Sequence, residues 1–138
     1  MMNVFLDSDV ILDFLLKRAP FAEAAGMIFS LGERGLLTLC TSTLSFMNVL
    51  YIAGAATDRA TARSLGRRLR VLMELLPVDS AQVDAALASA ARDVEDYVQY
   101  TVARENTVDY LVTRNVDDYP REGTFIVTPD VFLTTLPR

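Results

Sequence analysis

The chain has 138 residues, 51% of them hydrophobic, with a mean hydropathy of +0.27, enough for one domain with a real core and unlike a disordered chain. Its formal charge is −5 and its sequence pI is about 4.6, so there is no global basic field for nucleic acid, although a local one is still allowed. With no histidine and a single cysteine, Cys40, the chain excludes Ser-His-Asp and Cys-His catalysis, a structural zinc site and an internal disulfide.

The chain opens on a short apolar run, Val4 to Leu6, cut by Asp7, Ser8 and Asp9. Such a run reads as a buried strand ending at Leu6. Val10 to Lys17 follows as a short helix, interrupted at Ala19-Pro20. Phe21 to Glu33 fits the next helix, ended by Gly35. Leu36 to Cys40 is a second strand, and Thr41 and Ser42 are cap-type residues before a helix from Thr43 to Ala53, ended by Gly54. Asp58 to Leu75 has the clearest helical pattern, with Ala62, Leu65, Leu69, Leu72, Met73 and Leu76 on one face. Arg59, Arg63, Arg67 and Arg70 form a stripe on another.

Pro77 and Val78 make a short strand or connector. Asp79 with Gln82 three residues on forms a capping box for a helix through about Ala91. Asp93 to Glu105 is a further helix, with Val94, Tyr97, Val98, Thr101 and Val102 as its apolar arc and Asp96 off that arc. Asp109 to Thr113 and Phe125 to Thr128 are strands, and Thr128-Pro129 caps a last helix, Asp130 to Leu133. Strands alternating with helices predict one domain over 1–138: a three-layer α/β/α fold with a central parallel sheet of four to five strands. No run is long enough for a membrane span and no secretion signal precedes the first strand, so a cytoplasmic protein is expected.

In an open α/β sheet the ligand crevice lies outside the carboxyl ends of the strands. Asp7 and Asp9 belong at that crevice, where carboxylates suit a hard cation such as Mg²⁺ or Mn²⁺. Both also suit a plain helix cap, and the residues alone leave the two readings open. The other polar clusters are Asp93 to Asp96, and Thr113 to Tyr119 after the strand DYLVT. By spacing alone, Asp96 reads as a solvated surface residue and the arginine stripe as a solvated helix face. The functional alternative for the stripe is an RNA track or a dock for an acidic partner.

Taken together and in order, VFLDSDVILDFLL, TSTLSFMNVLYI, DVEDYVQYTVA, DYLVTRNVDDY and VTPDVFL resemble a PIN domain, over nearly the whole chain. The likeness is to the small bacterial branch that includes the toxins of VapBC pairs. That resemblance implies a nuclease cutting single-stranded RNA with Mg²⁺ or Mn²⁺. It implies Asp7, Asp96 and Asp118 as metal ligands, with Asn115 in the catalytic set where many members carry a third acid. Ser8, Asp9, Asn48 and Thr113 fall beside them as supporting or weak ligands, and Asn48 stands where the family usually has a glutamate. Arg114 joins the stripe arginines as a candidate RNA contact. The implied partners are a small antitoxin protein and a second copy in a homodimer; no membrane partner is expected. Two alternatives stay in view. One is a PIN-like binding module without catalysis. The other is a haloacid-dehalogenase-type phosphatase using Asp7 and Asp9, which needs a later lysine, whereas the only lysine is Lys17.

Overall fold

The computed structural model describes residues 1–120 and 125–137. Its elements are β1 (Asn3–Leu6), α1 (Ser8–Leu15), α2 (Ala22–Glu33), β2 (Thr38–Ser42), α3 (Thr43–Ala56), α4 (Arg59–Leu72) and β3 (Met73–Leu76). The second half adds α5 (Ser80–Ala88), α6 (Val94–Glu105), β4 (Tyr110–Val112), a 3₁₀ turn (Val116–Asp118), β5 (Ile126–Val127) and α7 (Pro129–Thr134). The five strands form one parallel sheet in the order β3-β2-β1-β4-β5. The expected α/β/α architecture is the one observed.

The sheet separates two cores because side chains alternate across a strand. Val4 and Leu6 of β1 pack with α1, α2, α3, α4 and α7 through Ile11, Phe29, Val49, Leu69 and Phe132. Phe5 points the other way, into a core with Val98, Val102 and Ala103 of α6 and Ala86 of α5. The chain leaves β1 toward β2 on one side, while β4 returns to its other side. The direction of winding therefore reverses between β1 and β4, where a crevice opens at the strands' carboxyl ends. Leu6 pairs with Val112, and the Asp7 amide donates to the Val112 carbonyl at 3.0 Å. Asp7 and Thr113 thus leave the sheet side by side.

Local signals explain most boundaries. Asp58, Asp79 and Thr128 accept backbone N–H bonds at helix starts, Asp79 and Gln82 form the expected capping box, and Pro129 sits in the first turn of α7. Gly35 follows α2 at φ 75°, a conformation that glycine adopts freely.

Several expectations are corrected. Helix α4 stops at Leu72, and Met73 to Leu76 form strand β3 rather than its last turn. That segment pairs with Leu39 to Ser42 of β2, and pairing overrides the helical spacing of Met73 and Leu76. Pro77 and Val78 form a connector. Gly54 lies inside α3, where a Cβ would meet only the Ala62 Cβ at 3.6 Å, so it marks α3–α4 packing and not a helix end. Helix α5 ends at Ala88 and is separate from α6.

Helix α2 approaches β2 through Gly32, where an added Cβ would lie 2.5 Å from Leu39 Cδ1. Leu39 is 1% exposed and cannot swing into solvent. Alanine favours a helix over glycine by about 1 kcal/mol, but overpacking a core costs about 1–3 kcal/mol. Gly32→Ala is therefore expected to destabilise the fold, read as a lower urea midpoint at unchanged slope; a raised midpoint would contradict this packing.

Candidate active site: an acid cluster at the β1–β4 switch

Asp7 is 5% exposed at the carboxyl end of β1. It caps α1, with Oδ1 accepting from the Ser8 amide at 2.7 Å. Its Oδ2 accepts from Thr113 Oγ1 at 2.9 Å and from the Tyr119 hydroxyl at 2.8 Å. Burial first, and then the Asp7 charge, hold the Tyr119 phenol far above its ordinary pKa, so it stays protonated and donating. The capping and functional readings of Asp7 are therefore compatible.

Asp9 faces the same crevice. Its Oδ2 accepts from the Arg114 amide at 3.0 Å and from Asn115 Nδ2 at 3.3 Å, while its buried Oδ1 has no hydrogen-bond partner among the described residues. Burial and the neighbouring Asp7 charge push its pKa up to about 6. The Asn115 amide donates to Thr113 Oγ1 at 3.0 Å, which closes the turn after β4 around the two acids.

Helix α6 brings the next acids. Asp93 caps it by accepting from the Asp96 amide at 3.0 Å. The helix buries Val98, Gln99, Tyr100, Val102 and Ala103, whereas Val94 is exposed. The apolar arc is thus rotated from the one expected, and Asp96 borders the buried stripe through Gln99, Tyr100 and Ala103. Gln99, fully buried, accepts from Ser42 Oγ and donates to Ser45 Oγ at 2.7 Å, fastening α6 to the start of α3. Burial, then the charge of Asp7, then those of Asp93, Asp118 and Glu95, push the Asp96 pKa up to about 7. Glu95 is also raised, by burial and by Asp93 and Asp7.

Asn48 reaches the rim of this cluster, where its Nδ2 donates to Glu95 Oε1 at 2.6 Å. The amide on α3 thus holds a carboxylate from α6. Asp118 lies within electrostatic reach of Asp96, and its Oδ1 is bridged by Arg92 at 3.1 Å.

Arg114 is turned away from the crevice. Its Nε and Nη2 bond the fully buried Asp13 at 2.7 and 3.2 Å, Arg18 bonds the same carboxylate at 2.9 Å, and the Arg114 guanidinium lies 4.0 Å over the Phe21 ring. Arg59, Arg63, Arg67 and Arg70 are all exposed and line a separate groove of about 730 Å³ between α3 and α4, with Phe46, Leu50 and Tyr51 among its apolar walls. No member of the acid cluster lines that groove.

Among the described residues, no three His, Cys, Asp or Glu side chains gather closely enough to hold a metal ion. The donor chemistry nevertheless suits a hard divalent cation. The crevice offers only oxygen acids; Asp7, Asp9, Glu95 and Asp96 form no ion pair among the described residues, and Asp9 Oδ1 is buried without a partner.

The sequence gives no role to Tyr119, Asp13, Gln99 or Glu95, although Glu95 and Tyr119 fall inside the polar segments Asp93 to Asp96 and Thr113 to Tyr119.

The charge stress has a pH signature. Between about pH 4 and pH 7 the folded state keeps a proton on Asp96 that the unfolded state has lost, so stability falls as pH rises through that window. Asp96→Asn is expected to raise the melting temperature more at pH 8 than at pH 5. An equal rise at both values would remove Asp96 as the source.

A family profile described as a PIN domain matches residues 3–117. No curated protein matches the chain by sequence. Among solved structures, a toxin–antitoxin complex from Klebsiella pneumoniae superposes with a TM-score of 0.67 at 18% identity, over 91% of this chain and 97% of that one. A VapC toxin of Mycobacterium tuberculosis, described as cleaving the sarcin-ricin loop, gives 0.63 at 12% identity, over 88% and 92%. A VapBC complex of Salmonella typhimurium bound to DNA gives 0.63 at 18% identity, over 92% and 97%.

Proposed function

The chain belongs to the PIN-domain family, and from that premise we propose that residues 1–138 act as one domain, a Mg²⁺- or Mn²⁺-dependent endoribonuclease that cuts single-stranded RNA and serves as the toxin of a toxin–antitoxin pair. The observation that carries this reading is the buried Asp7 carboxylate at the β1–β4 switch, with Asp9, Glu95 and Asp96 within its electrostatic reach and Asp118 within that of Asp96. Asp7 and Asp96 would hold the cation and Asp118 would face it, with Glu95 and Asp9 beside them; the acids stand too far apart to close a three-carboxylate cage, so water would fill the remaining positions. A divalent cation there would neutralise charge on the scissile phosphate and lower the pKa of a bound water, a task that needs no histidine.

This chain's own residues do the positioning. Ser8, Thr113 and Tyr119 fix both oxygens of Asp7. Asp9 ties the turn carrying Asn115 to the end of β1. Asn48 orients Glu95 and so brings a carboxylate to a position where the α3 residue itself contributes no charge.

The phosphatase reading is disfavoured, because Lys17 lines a different groove with Phe14, Glu33 and Leu69, away from Asp7. A binding module without catalysis is the second reading; it is favoured by the amides at Asn48 and Asn115 and by the open spacing of the acids.

Asp7→Asn is expected to keep the fold and to reduce RNA cleavage in Mn²⁺ by at least about a hundredfold. Parent protein should gain melting temperature in millimolar Mn²⁺, because a ligand of the native state alone stabilises it. Cleavage by Asp7→Asn at the parent rate would overturn the assignment. A metal-induced shift without RNA cleavage would favour the binding module.

A partner is the remaining part of the proposal. The groove between α3 and α4 combines apolar walls with four arginines, and Met47 and Tyr51 are 61% and 80% exposed nearby. A small acidic antitoxin is its expected occupant, and a homodimer accounts for other apolar surface such as Val71 and Leu87. Among the described residues no helix is long and apolar enough to cross a membrane. The product of an adjacent gene, co-expressed with the chain, should form a complex that Arg63→Glu with Arg67→Glu dissolves. Light scattering that finds a monomer both alone and after co-expression would refute this.

A further inference from the structure

A second cleft opens beside the acid cluster. Its volume is about 960 Å³, within the range of small-ligand sites, and Arg92, Tyr97, Asp118 and Tyr119 line it with the small residues Ser89 and Ala91. Asp118 and Tyr119 belong to both places: Asp118 acts electrostatically on Asp96, and the Tyr119 hydroxyl is bonded to Asp7. Whatever fills the cleft therefore touches the edge of the acid cluster.

Arg92 is the only cation on that wall among the described residues. Its side chain is 77% exposed. It reaches Asp118 Oδ1 at 3.1 Å and the Asp117 carbonyl at 3.4 Å, both through Nη2. Nε and Nη1 have no protein partner among the described residues, and a guanidinium presents its N–H donors in a planar fork suited to phosphate. The Asp118 carboxylate is itself 39% exposed, so the pair is a weak surface bridge that a phosphate can replace. Tyr97 is half-buried, with its ring centroid 5.9 Å from that of Tyr100, which anchors it against the core. An anchored aromatic face beside an arginine is how sequence-tolerant single-strand binders hold a base and its phosphate.

We propose that this cleft seats a nucleotide adjoining the scissile phosphate of single-stranded RNA, with Arg92 on its phosphate and Tyr97 under its base. The proposal rests on the ribonuclease reading above.

The test is fluorescence anisotropy of a short labelled single-stranded RNA on the full chain in an Asp7→Asn background, beside cleavage by the parent. Arg92→Ala and Tyr97→Leu should each weaken Kd about tenfold, and Tyr97→Phe should retain binding. Arg92→Ala should also reduce the slope of log affinity against log salt by about 0.7, the signature of one lost phosphate contact, which a merely structural role would not move. If the parent cuts RNA but Arg92→Ala leaves Kd and slope unchanged, the cleft proposal falls and the nuclease reading stands. If the Asp7→Asn protein binds no RNA and the parent cuts none, both fall.

Discussion

The hydrogen-bonded burial of Asp7 is the constraint on which the rest of the structure depends. An ionised carboxylate taken out of water is costly unless its oxygens are satisfied. Here no cation pairs with it among the described residues, so the cost is met by donors. Ser8 comes from the start of α1, Thr113 from the end of β4 and Tyr119 from beyond the 3₁₀ turn. Two of the three lie more than a hundred positions away in the chain. Their convergence depends on the parallel pairing of β1 with β4, and a register slip of one residue would carry Thr113 to the opposite face. Sheet topology and site geometry are thus one constraint.

The same site concentrates negative charge, and the fold contains it at two levels. Asp13 is the most deeply buried acid of α1 and receives both Arg18 and Arg114, so that charge is compensated below the crevice. Removing one partner of such a network strands a buried charge, which makes the Asp13–Arg114 pair a brace for the turn holding Asn115. Above the brace, Asp9, Glu95 and Asp96 are left with raised pKa values and no salt bridge. On the ribonuclease reading this division follows from function: the lower acid is structural and neutralised, and the upper acids, without a cationic partner in the protein, are left for a bound cation to ionise and pair.

How much was legible in the chain follows from the range of the interactions involved. The end of β1 was legible because an apolar run is cut sharply by Asp7-Ser8-Asp9. The starts of α4, α5 and α7 were legible because caps act within three residues. Strand β3 was not, because Leu72, Met73 and Leu76 keep helical spacing and no glycine or proline separates them from α4; pairing with β2 decides their state. Asp13 reads locally as a break in an apolar run, since its partner Arg114 is 101 positions away. Gln99 reads as polar and exposed, yet it is fully buried, with its amide bonded to Ser42 and Ser45. Asp7 was found by its place at a strand end, and Asp96 only by family resemblance, since the buried arc that sets its orientation includes this hidden glutamine.

On the ribonuclease reading, an acidic chain has to handle a polyanion, and it must keep attraction and chemistry in separate places. With a net charge of −5 the molecule would repel RNA at long range, and the acid cluster would strengthen that repulsion where the backbone would approach. The positive charge available is local. Arg59, Arg63, Arg67 and Arg70 flank an apolar groove away from the acid cluster, and Arg114 is spent on Asp13. Arg92 is the exposed arginine bonded directly to a member of the acid cluster, Asp118. That bond couples the two charges: a cation drawing on Asp118 would loosen Arg92 for a phosphate, and a phosphate on Arg92 would free Asp118 for a cation. On the ribonuclease reading, one shared carboxylate would make metal and RNA binding positively cooperative, and by linkage equally so in both directions.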